Sequence, residues 1–433
     1  MLTIGLTMAT IGVVLLLLGF PMMVPLLAAA LFAVLYFQPF QFVDPEVLIQ
    51  QWITGIQPAA LIAVPMFVFA ADIMTRGQAA ERLLDLVMSF VGHVRGGLPI
   101  TAAASCTLFG SISGSTQATV VAVGGPMRPR LLQAGYPDSF AMALIVNSSD
   151  IALLIPPSIG MIVYGVVSGA SIGELFLAGI GPGLLILGLF CVYCRIASKR
   201  LGIEPAPRST PAQRKRALVR ALLPLGFPLI IVGGIYSGKF SPTEAAAISV
   251  LYAGVLEFAI FRQLSLRVLP DIARQTALVT AVVFVLIGAG QAFSWVVSYA
   301  ELPQMLVEGV FGLSATSSQL HVLFSIAIAT FVGCMFVDPI VVILILTPIF
   351  APAAAAAGVD PILVGTVVTM QVAIGSATPP FGCDLFTAVA VFRRPYLEIL
   401  RGTPPFLVIL LASSALVIFV PQIALFLRDL AFR

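Results

Sequence analysis

The sequence predicts an all-α protein that crosses a membrane several times. Of its 433 residues, 60% are hydrophobic and only 9% are charged, whereas an average soluble domain carries about 25% charged residues. Long stretches contain no Asp, Glu, Lys or Arg, and each is near or above the roughly 17–25 residues that a helix needs to span the hydrocarbon core. These stretches are 1–43, 175–194, 275–300, 309–337, 339–359 and 402–427. Lipid is therefore the solvent in which this chain folds.

Basic residues set the orientation of the predicted spans. The segment 195–220 is rich in Lys and Arg, contains a single acidic residue, Glu204, and is predicted to be a cytoplasmic loop. Two helices at about 221–237 and 244–261 then return the chain to the same side. Continued counting places the C-terminus outside, although Arg428 lies there. The net charge of +3 does not indicate a nucleic-acid partner, because the basic residues are in loops between spans.

An apolar stretch at about 99–126 lies between Arg95 and Arg128, which counting places on the same face. Split in two, it gives arms of about 13 residues, or roughly 20 Å of helix each. That is shorter than the roughly 30 Å hydrocarbon core. We therefore predict a re-entrant helical hairpin, whose non-helical tip must pack in protein or line a cavity.

Glycines and prolines recur at a constant offset of 223 residues, which predicts an internal repeat. The pairs are Gly110 and Gly333, Pro129 and Pro352, Gly135 and Gly358, Pro156-Pro157 and Pro379-Pro380, Gly179 and Gly402, and Pro182 and Pro405. Basic residues flank the first hairpin, whereas no basic residue flanks the corresponding stretch at about 319–357. Placement on opposite sides of the membrane would explain this difference, so we predict an inverted repeat, a plan typical of secondary transporters.

Candidate chemistry in the first half lies at the hairpin tip and in the following span, predicted at about 139–172. The tip, Gly110–Thr116, combines glycine with small hydroxyl residues that allow a tight turn and supply oxygen ligands; close helix packing is the alternative. In the span, Pro156-Pro157 must break the helix. A break exposes carbonyls for a cation and a helix N-terminus for an anion. Asp150, an acidic residue within the span, suggests function, although an interfacial position is the alternative.

The second half repeats this arrangement. Its hairpin tip, Gly333–Pro339, contains Asp338 at the repeat position of Ser115, and we interpret this aspartate as an ion or proton site, with a structural hydrogen-bond role as the alternative. The segment Gly375–Gly382 carries the second double proline and breaks the span at about 360–392. Elsewhere, Glu244 opens a helix, where a capping role and a role near the substrate path both remain open.

With these motifs, the sequence resembles the large membrane subunit of tripartite ATP-independent periplasmic (TRAP) transporters. The resemblance covers nearly the whole chain and rests on four motifs in order: Gly110–Thr116, Asn147–Ser158, Ser241–Ala246 and Gly375–Gly382. It implies an elevator-type fold of the ion-transporter superfamily, in the bacterial inner membrane, with no enzymatic activity and no cofactor other than coupling sodium ions. It also implies two separate partners, a small four-helix membrane subunit and a periplasmic binding protein.

The same resemblance divides the chain into a scaffold and two transport repeats. The scaffold comprises 1–95 and 221–318, the repeats are 96–194 and 319–402, and a C-terminal span occupies 403–433. It also implies site residues. One sodium site would use Ser111, Ser113, Ser115, Asn147 and Pro156, and the other Gly333, Asp338, Gly375 and Thr378. The carboxylate substrate would meet Ser113 and Ser158, with Asp150 and Glu244 as further candidates.

The expected function is therefore sodium-driven inward transport of a small carboxylate, of the dicarboxylate or sugar-acid type. A stand-alone sodium/dicarboxylate symporter is one alternative. An intramembrane hydrolase that uses a serine, or Asp150 with Asp338, is less favoured because neither histidine lies in a motif that suggests a base. A membrane scaffold without transport activity would leave the duplicated helix breaks without a purpose.

Overall fold

The computed structural model describes residues 2–314 and 316–432, and over these residues the chain is helical and contains no β-strand. Long uncharged runs of Leu, Ala, Ile and Val form these helices because a backbone in lipid must satisfy its own hydrogen bonds. Among the described helices, six are long and apolar enough to cross a membrane. A seventh span results if the C-terminal pair of helices, bent by 57°, counts as one.

The helices fall into five consecutive groups, of which the second and the fourth each consist of a hairpin and a broken helix. The N-terminal group is α1 (Leu2–Leu17), α2 (Met23–Tyr36), α3 (Glu46–Ile56), α4 (Ala63–Arg76) and α5 (Ala79–Val91). The first hairpin is α6 (Gly97–Ser113) and α7 (Thr116–Gln133), and the first broken helix is α8 (Asp138–Ser149) and α9 (Ile159–Ser168). The middle group is α10 (Ile172–Arg200), α11 (Pro211–Tyr236), α12 (Pro242–Gly254), α13 (Leu269–Tyr299) and α14 (Leu302–Gly309). The second hairpin is α15 (Gln319–Cys334) and α16 (Pro339–Ala356), and the second broken helix is α17 (Pro361–Ser376) and α18 (Cys383–Phe392). The C-terminal group is α19 (Tyr396–Leu400), α20 (Pro404–Phe419) and α21 (Gln422–Ala431).

Both double prolines interrupt a helix. Residues 150–158, the first break, separate α8 from α9, and residues 377–382, the second break, separate α17 from α18. A 3₁₀ turn, Asp150–Leu153, opens the first break. The interruptions follow from the missing N–H donors and from the clash of each proline ring with the preceding turn. The peptide bonds Pro156-Pro157 and Pro379-Pro380 are both cis.

Hairpins and broken helices pack in a reciprocal pattern. The first arm of each hairpin packs against the first piece of the broken helix in its own half, α6 against α8 and α15 against α17. The second arm packs against the second piece in the other half, α7 against α18 and α16 against α9. The two halves therefore share one packed core. The inverted relation of the halves and the re-entrant path of the hairpins stay predictions.

Two expectations about lengths were wrong. The arms of the first hairpin have 17 and 18 residues rather than about 13, because its second arm continues through Pro126 and Pro129 to Gln133. The predicted basic loop at 195–220 is also shorter, since α10 continues to Arg200 and α11 begins at Pro211. Lys and Arg are good helix formers, so most of these basic residues lie on helix ends.

Candidate functional site

The tip of the first hairpin packs against the end of the first break. Gly114 terminates α6 with a φ of 60°, and the Ser115 hydroxyl caps α7 by accepting the Ala118 N–H. The Ile159 N–H donates to the Gly114 carbonyl over 3.4 Å. A Cβ added to Gly114 would lie 2.2 Å from the carbonyl oxygen of Pro157. The tip therefore fits against the break only with glycine at this position.

The second hairpin meets the second break in the same way. The Phe381 N–H donates to the Met335 carbonyl over 3.0 Å. The Asp338 carboxylate accepts the Ile340 N–H over 2.9 Å and caps α16. Asp338 thus has the capping role that Ser115, its repeat partner, has in the first half. This is the structural alternative considered for Asp338; its role as an ion ligand stays a prediction.

In each half a glycine allows the hairpin to pack closely against the broken helix. The glycine belongs to the hairpin in the first half and to the broken helix in the second half. In the first half it is Gly110 of the hairpin, where a Cβ would lie 2.6 Å from the Cα of Ala152. In the second half it is Gly375 of the broken helix, where a Cβ would lie 2.6 Å from the Cβ of Cys334. Both contacts hold a hairpin against its break.

A buried carboxylate that the sequence analysis missed connects the two halves. Asp384 is fully buried and accepts hydrogen bonds from the hydroxyls of Thr116, over 2.7 Å, and Ser376, over 2.5 Å. Thr116 belongs to the first hairpin, whereas Ser376 ends α17. The signal was available, since Asp384, like Asp150, is an acidic residue within an apolar span.

Asp150 lies in the same region but has no such partners. It is 1% exposed, and neither carboxylate oxygen has a hydrogen-bond partner among the described residues. Asn147 Oδ1 and Ser148 Oγ, on the same helical turn, are also buried and unpaired. The turn that contains Asp150 packs against α7 and α17, the two helices whose hydroxyls bond to Asp384. These free oxygens can accept hydrogen bonds from a ligand or bind a cation.

The remaining predicted site residues lie at the two tips and breaks, with one exception. Ser111 and Ser113 are buried, and their hydroxyls bond to the Leu108 carbonyl and the Thr119 hydroxyl. Ser158 caps α9 by accepting the Met161 N–H. Pro156 lies in the first break and Thr378 lies in the second. Gly333 lies on the second hairpin, and Gly375 lies on α17 just before the second break.

Glu244 is the exception, because it is exposed and forms a capping box with Ser241 at the start of α12. The Ser241 N–H donates to the Glu244 carboxylate over 2.7 Å. These contacts support the capping role that the sequence left open. A role of Glu244 near the substrate path stays a prediction.

Comparison with known proteins identifies the family. Residues 10–423 match the family described as tripartite ATP-independent periplasmic transporter, DctM component. The chain is 62% identical over 430 residues to the ectoine/5-hydroxyectoine TRAP transporter large permease protein UehC of Ruegeria pomeroyi, covering 99% of both chains. It is 61% identical over 420 residues to the ectoine TRAP transporter large permease protein TeaC of Halomonas elongata, covering 97% of both.

More distant relatives share the family or the fold. The C4-dicarboxylate TRAP transporter large permease protein DctM of Pseudomonas aeruginosa is 35% identical over 369 residues, covering 85% of this chain and 86% of the relative. The crystal structure of the Alcanivorax borkumensis YdaH transporter has a similar fold, with a TM-score of 0.64 at 18% identity, covering 96% of this chain and 98% of that one. The chain therefore belongs to the TRAP transporter family as a large permease subunit, a multi-pass protein of the bacterial inner membrane and not an enzyme.

Proposed function

We propose that this chain is the membrane subunit through which ectoine or 5-hydroxyectoine enters the cell. The observation that carries the proposal is 62% identity over 99% of the chain to a permease named for these two solutes. Ectoine has one carboxylate and one protonated cyclic amidine. The expectation of a small carboxylate is therefore kept, whereas the dicarboxylate or sugar-acid type is replaced by a zwitterion.

Sodium ions would drive this transport. Hard cations prefer several oxygen ligands, and the tips and breaks offer hydroxyls and interrupted-helix carbonyls in both halves. One sodium ion would bind among Ser111, Ser113, Ser115, Asn147 and Pro156, and another among Gly333, Asp338, Gly375 and Thr378. Buried polar atoms left without partners near the first break, such as Asn147 Oδ1, support an ion or ligand there.

The substrate would bind between the two breaks. Its carboxylate would approach Ser113, Ser158 and the N-terminus of α9, where the helix dipole favours negative charge. Both hairpins and both broken helices would then move together as an elevator against the remaining helices. Each hairpin packs against both broken helices. This packing supports a single moving body made of the two hairpins and the two broken helices.

Two partners would complete the system, a small four-helix membrane subunit and a periplasmic protein that delivers the substrate. This requirement separates the proposal from a stand-alone symporter, and the family match supports the partnered system.

Uptake into proteoliposomes tests the proposal. The large and small subunits are reconstituted together, and labelled ectoine is supplied with the binding protein under an inward sodium gradient. Uptake should require the gradient and the binding protein, and excess 5-hydroxyectoine should compete. Absence of ectoine uptake would refute the substrate assignment, and uptake that is indifferent to the sodium gradient would refute the coupling.

A further inference from the structure

Asp150 is a buried carboxyl group for which the described part of the chain supplies no positively charged partner. Its carboxylate is 1% exposed, both oxygens are unpaired, and no described Lys or Arg forms an ion pair with it. An ionised carboxylate in such a place is strongly unfavourable without a partner. An ionised Asp150 would therefore take its partner from outside the described part of the chain.

The surroundings of Asp150 increase this requirement. The turn that contains Asp150 packs against α7 and α17, and the hydroxyls of Thr116 and Ser376 on these helices donate to another carboxylate, that of Asp384. Thr369 on α17, which packs against the turn containing Asp150, also has an unpaired hydroxyl. Asn147 Oδ1 adds a further free acceptor. The region thus offers several unpaired oxygen acceptors to a cationic donor.

We infer that Asp150 binds the cationic group of a zwitterionic substrate and thereby selects it over dicarboxylates. This inference rests on the proposed function. A protonated amidine is planar and offers N–H donors to a carboxylate, which gives short, charge-assisted hydrogen bonds. The second carboxylate of a dicarboxylate would instead meet Asp150 with like charge, and repulsion between unpaired buried charges is an effective basis for specificity.

A sodium ion is the competing occupant. The two proposed sodium sites use hydroxyl, carbonyl and amide oxygens around the tips and breaks, together with the carboxylate of Asp338, and neither needs Asp150. An amidine also matches a carboxylate, because its N–H groups lie in one plane and can donate to both unpaired oxygens of Asp150. The experiment separates the two occupants.

The test compares wild type with Asp150→Asn, which keeps the shape of the side chain and removes its charge. Wild-type ectoine uptake is measured first in the complete reconstituted system. Uptake by Asp150→Asn should fall on the order of tenfold to a hundredfold, in keeping with loss of a hydrogen bond to a charged group. In thermal unfolding of the purified large and small subunits, millimolar ectoine with sodium should raise the wild-type Tm but not that of Asp150→Asn.

Two variants serve as controls. Asp271→Asn removes an exposed carboxylate in the first turn of α13 and should behave as wild type. Asp150→Glu keeps the charge and should retain part of the ectoine-dependent Tm shift. Asp150→Ser provides a second neutral variant if the asparagine variant does not fold.

The outcomes are distinguishable. If the wild type takes up no ectoine, the proposed function fails. If the wild type does and the neutral variants do so equally well, the inference about Asp150 is wrong. If the neutral variants lose the Tm shift caused by sodium alone but keep the shift caused by ectoine, Asp150 binds a coupling ion and the inference is likewise overturned.

Discussion

The two halves have the same backbone plan but different polar chemistry. Each has a hairpin whose tip receives a backbone hydrogen bond from the adjacent break, at Gly114 in the first half and Met335 in the second. In the first half the buried aspartate is the first residue of the break and has no hydrogen-bond partner among the described residues. In the second half it follows the break and accepts hydrogen bonds from two hydroxyls. Asp150 and Asp384 are not repeat partners under the offset of 223.

The two halves thus share the helix breaks but differ in the polar groups around them. The backbone plan depends on glycine and proline, whose steric effects are local and tolerate few substitutes. In the proposed mechanism the polar groups depend on the ligands that bind between the halves, so they need not repeat.

The largest expected effect is at the paired glycines of the hairpins. Gly110→Ala should lower the free energy of unfolding by about 3 kcal/mol, because the new Cβ would press against backbone at Ala152. Gly333→Ala should be neutral or slightly stabilising, since its Cβ would make ordinary contacts at 3.4 Å or more and alanine favours helix. Denaturant unfolding of the purified protein measures both. Equal losses would show that the two hairpins are packed alike.

The buried aspartates should respond to loss of charge in different ways. Asp384→Asn should cost about 2 kcal/mol, because the hydroxyls of Thr116 and Ser376 lose a charged acceptor. Asp150→Asn should leave stability unchanged or increase it, because the Asp150 carboxyl has no hydrogen-bond partner to lose among the described residues. Unfolding without ectoine measures the two values, with Ser376→Ala as a control that removes one hydrogen bond. A loss at Asp150 comparable to that at Asp384 would contradict the comparison.

A smaller effect is expected at Tyr164 and its repeat partner Thr387. The Tyr164 hydroxyl donates to the Pro361 carbonyl over 3.0 Å and joins α9 to α17. Tyr164→Phe should therefore cost about 1 kcal/mol. The Thr387 hydroxyl bonds within its own helix, to the Cys383 carbonyl, so Thr387→Val should change stability by only a few tenths of a kcal/mol. Thermal unfolding can rank the two variants, and a reversed ranking would argue against this link between halves.

The smallest effect concerns the aspartates at the starts of the two broken helices. Arg128 holds Asp138 through two hydrogen bonds of 2.7 Å, and Arg428 holds Asp360 at 2.6 Å. Arg128→Gln and Arg428→Gln should each cost about 1 kcal/mol or less at neutral pH, because the pairs are partly exposed. Unfolding at low and high salt provides the measurement, and salt should weaken both contributions.

The pH dependence of the first pair can be predicted in sign. The hydrogen bond from Arg128 lowers the pKa of Asp138 below its ordinary value. Its contribution is therefore fully present above the ordinary aspartate pKa of about 3.9 and is lost as pH falls through the lowered pKa. The stability difference between wild type and Arg128→Gln should vanish in strong acid. A difference that persists there would mean that Arg128 acts through packing, for instance through its contact with Phe392.

Arg428 has a structural role at the C-terminus, which charge counting places outside although basic residues normally favour the cytoplasmic side. It is bound by Asp360 and Asp429 and lies near Glu174. This arginine therefore joins α21 to the starts of α10 and α17.

Composition and the order of glycine and proline determined the membrane environment, the helical class and the positions of both breaks. These features are local, since apolar length sets a span and a proline removes its own N–H donor. Tertiary contacts determine which hydroxyls bond to Asp384, one of them 268 residues away, and they leave Asp150 without a partner among the described residues. They also determine whether the glycine at a close contact belongs to the hairpin, as Gly110 does, or to the broken helix, as Gly375 does. Such pairings depend on distant segments that meet in the folded core, and no local pattern in the sequence encodes them.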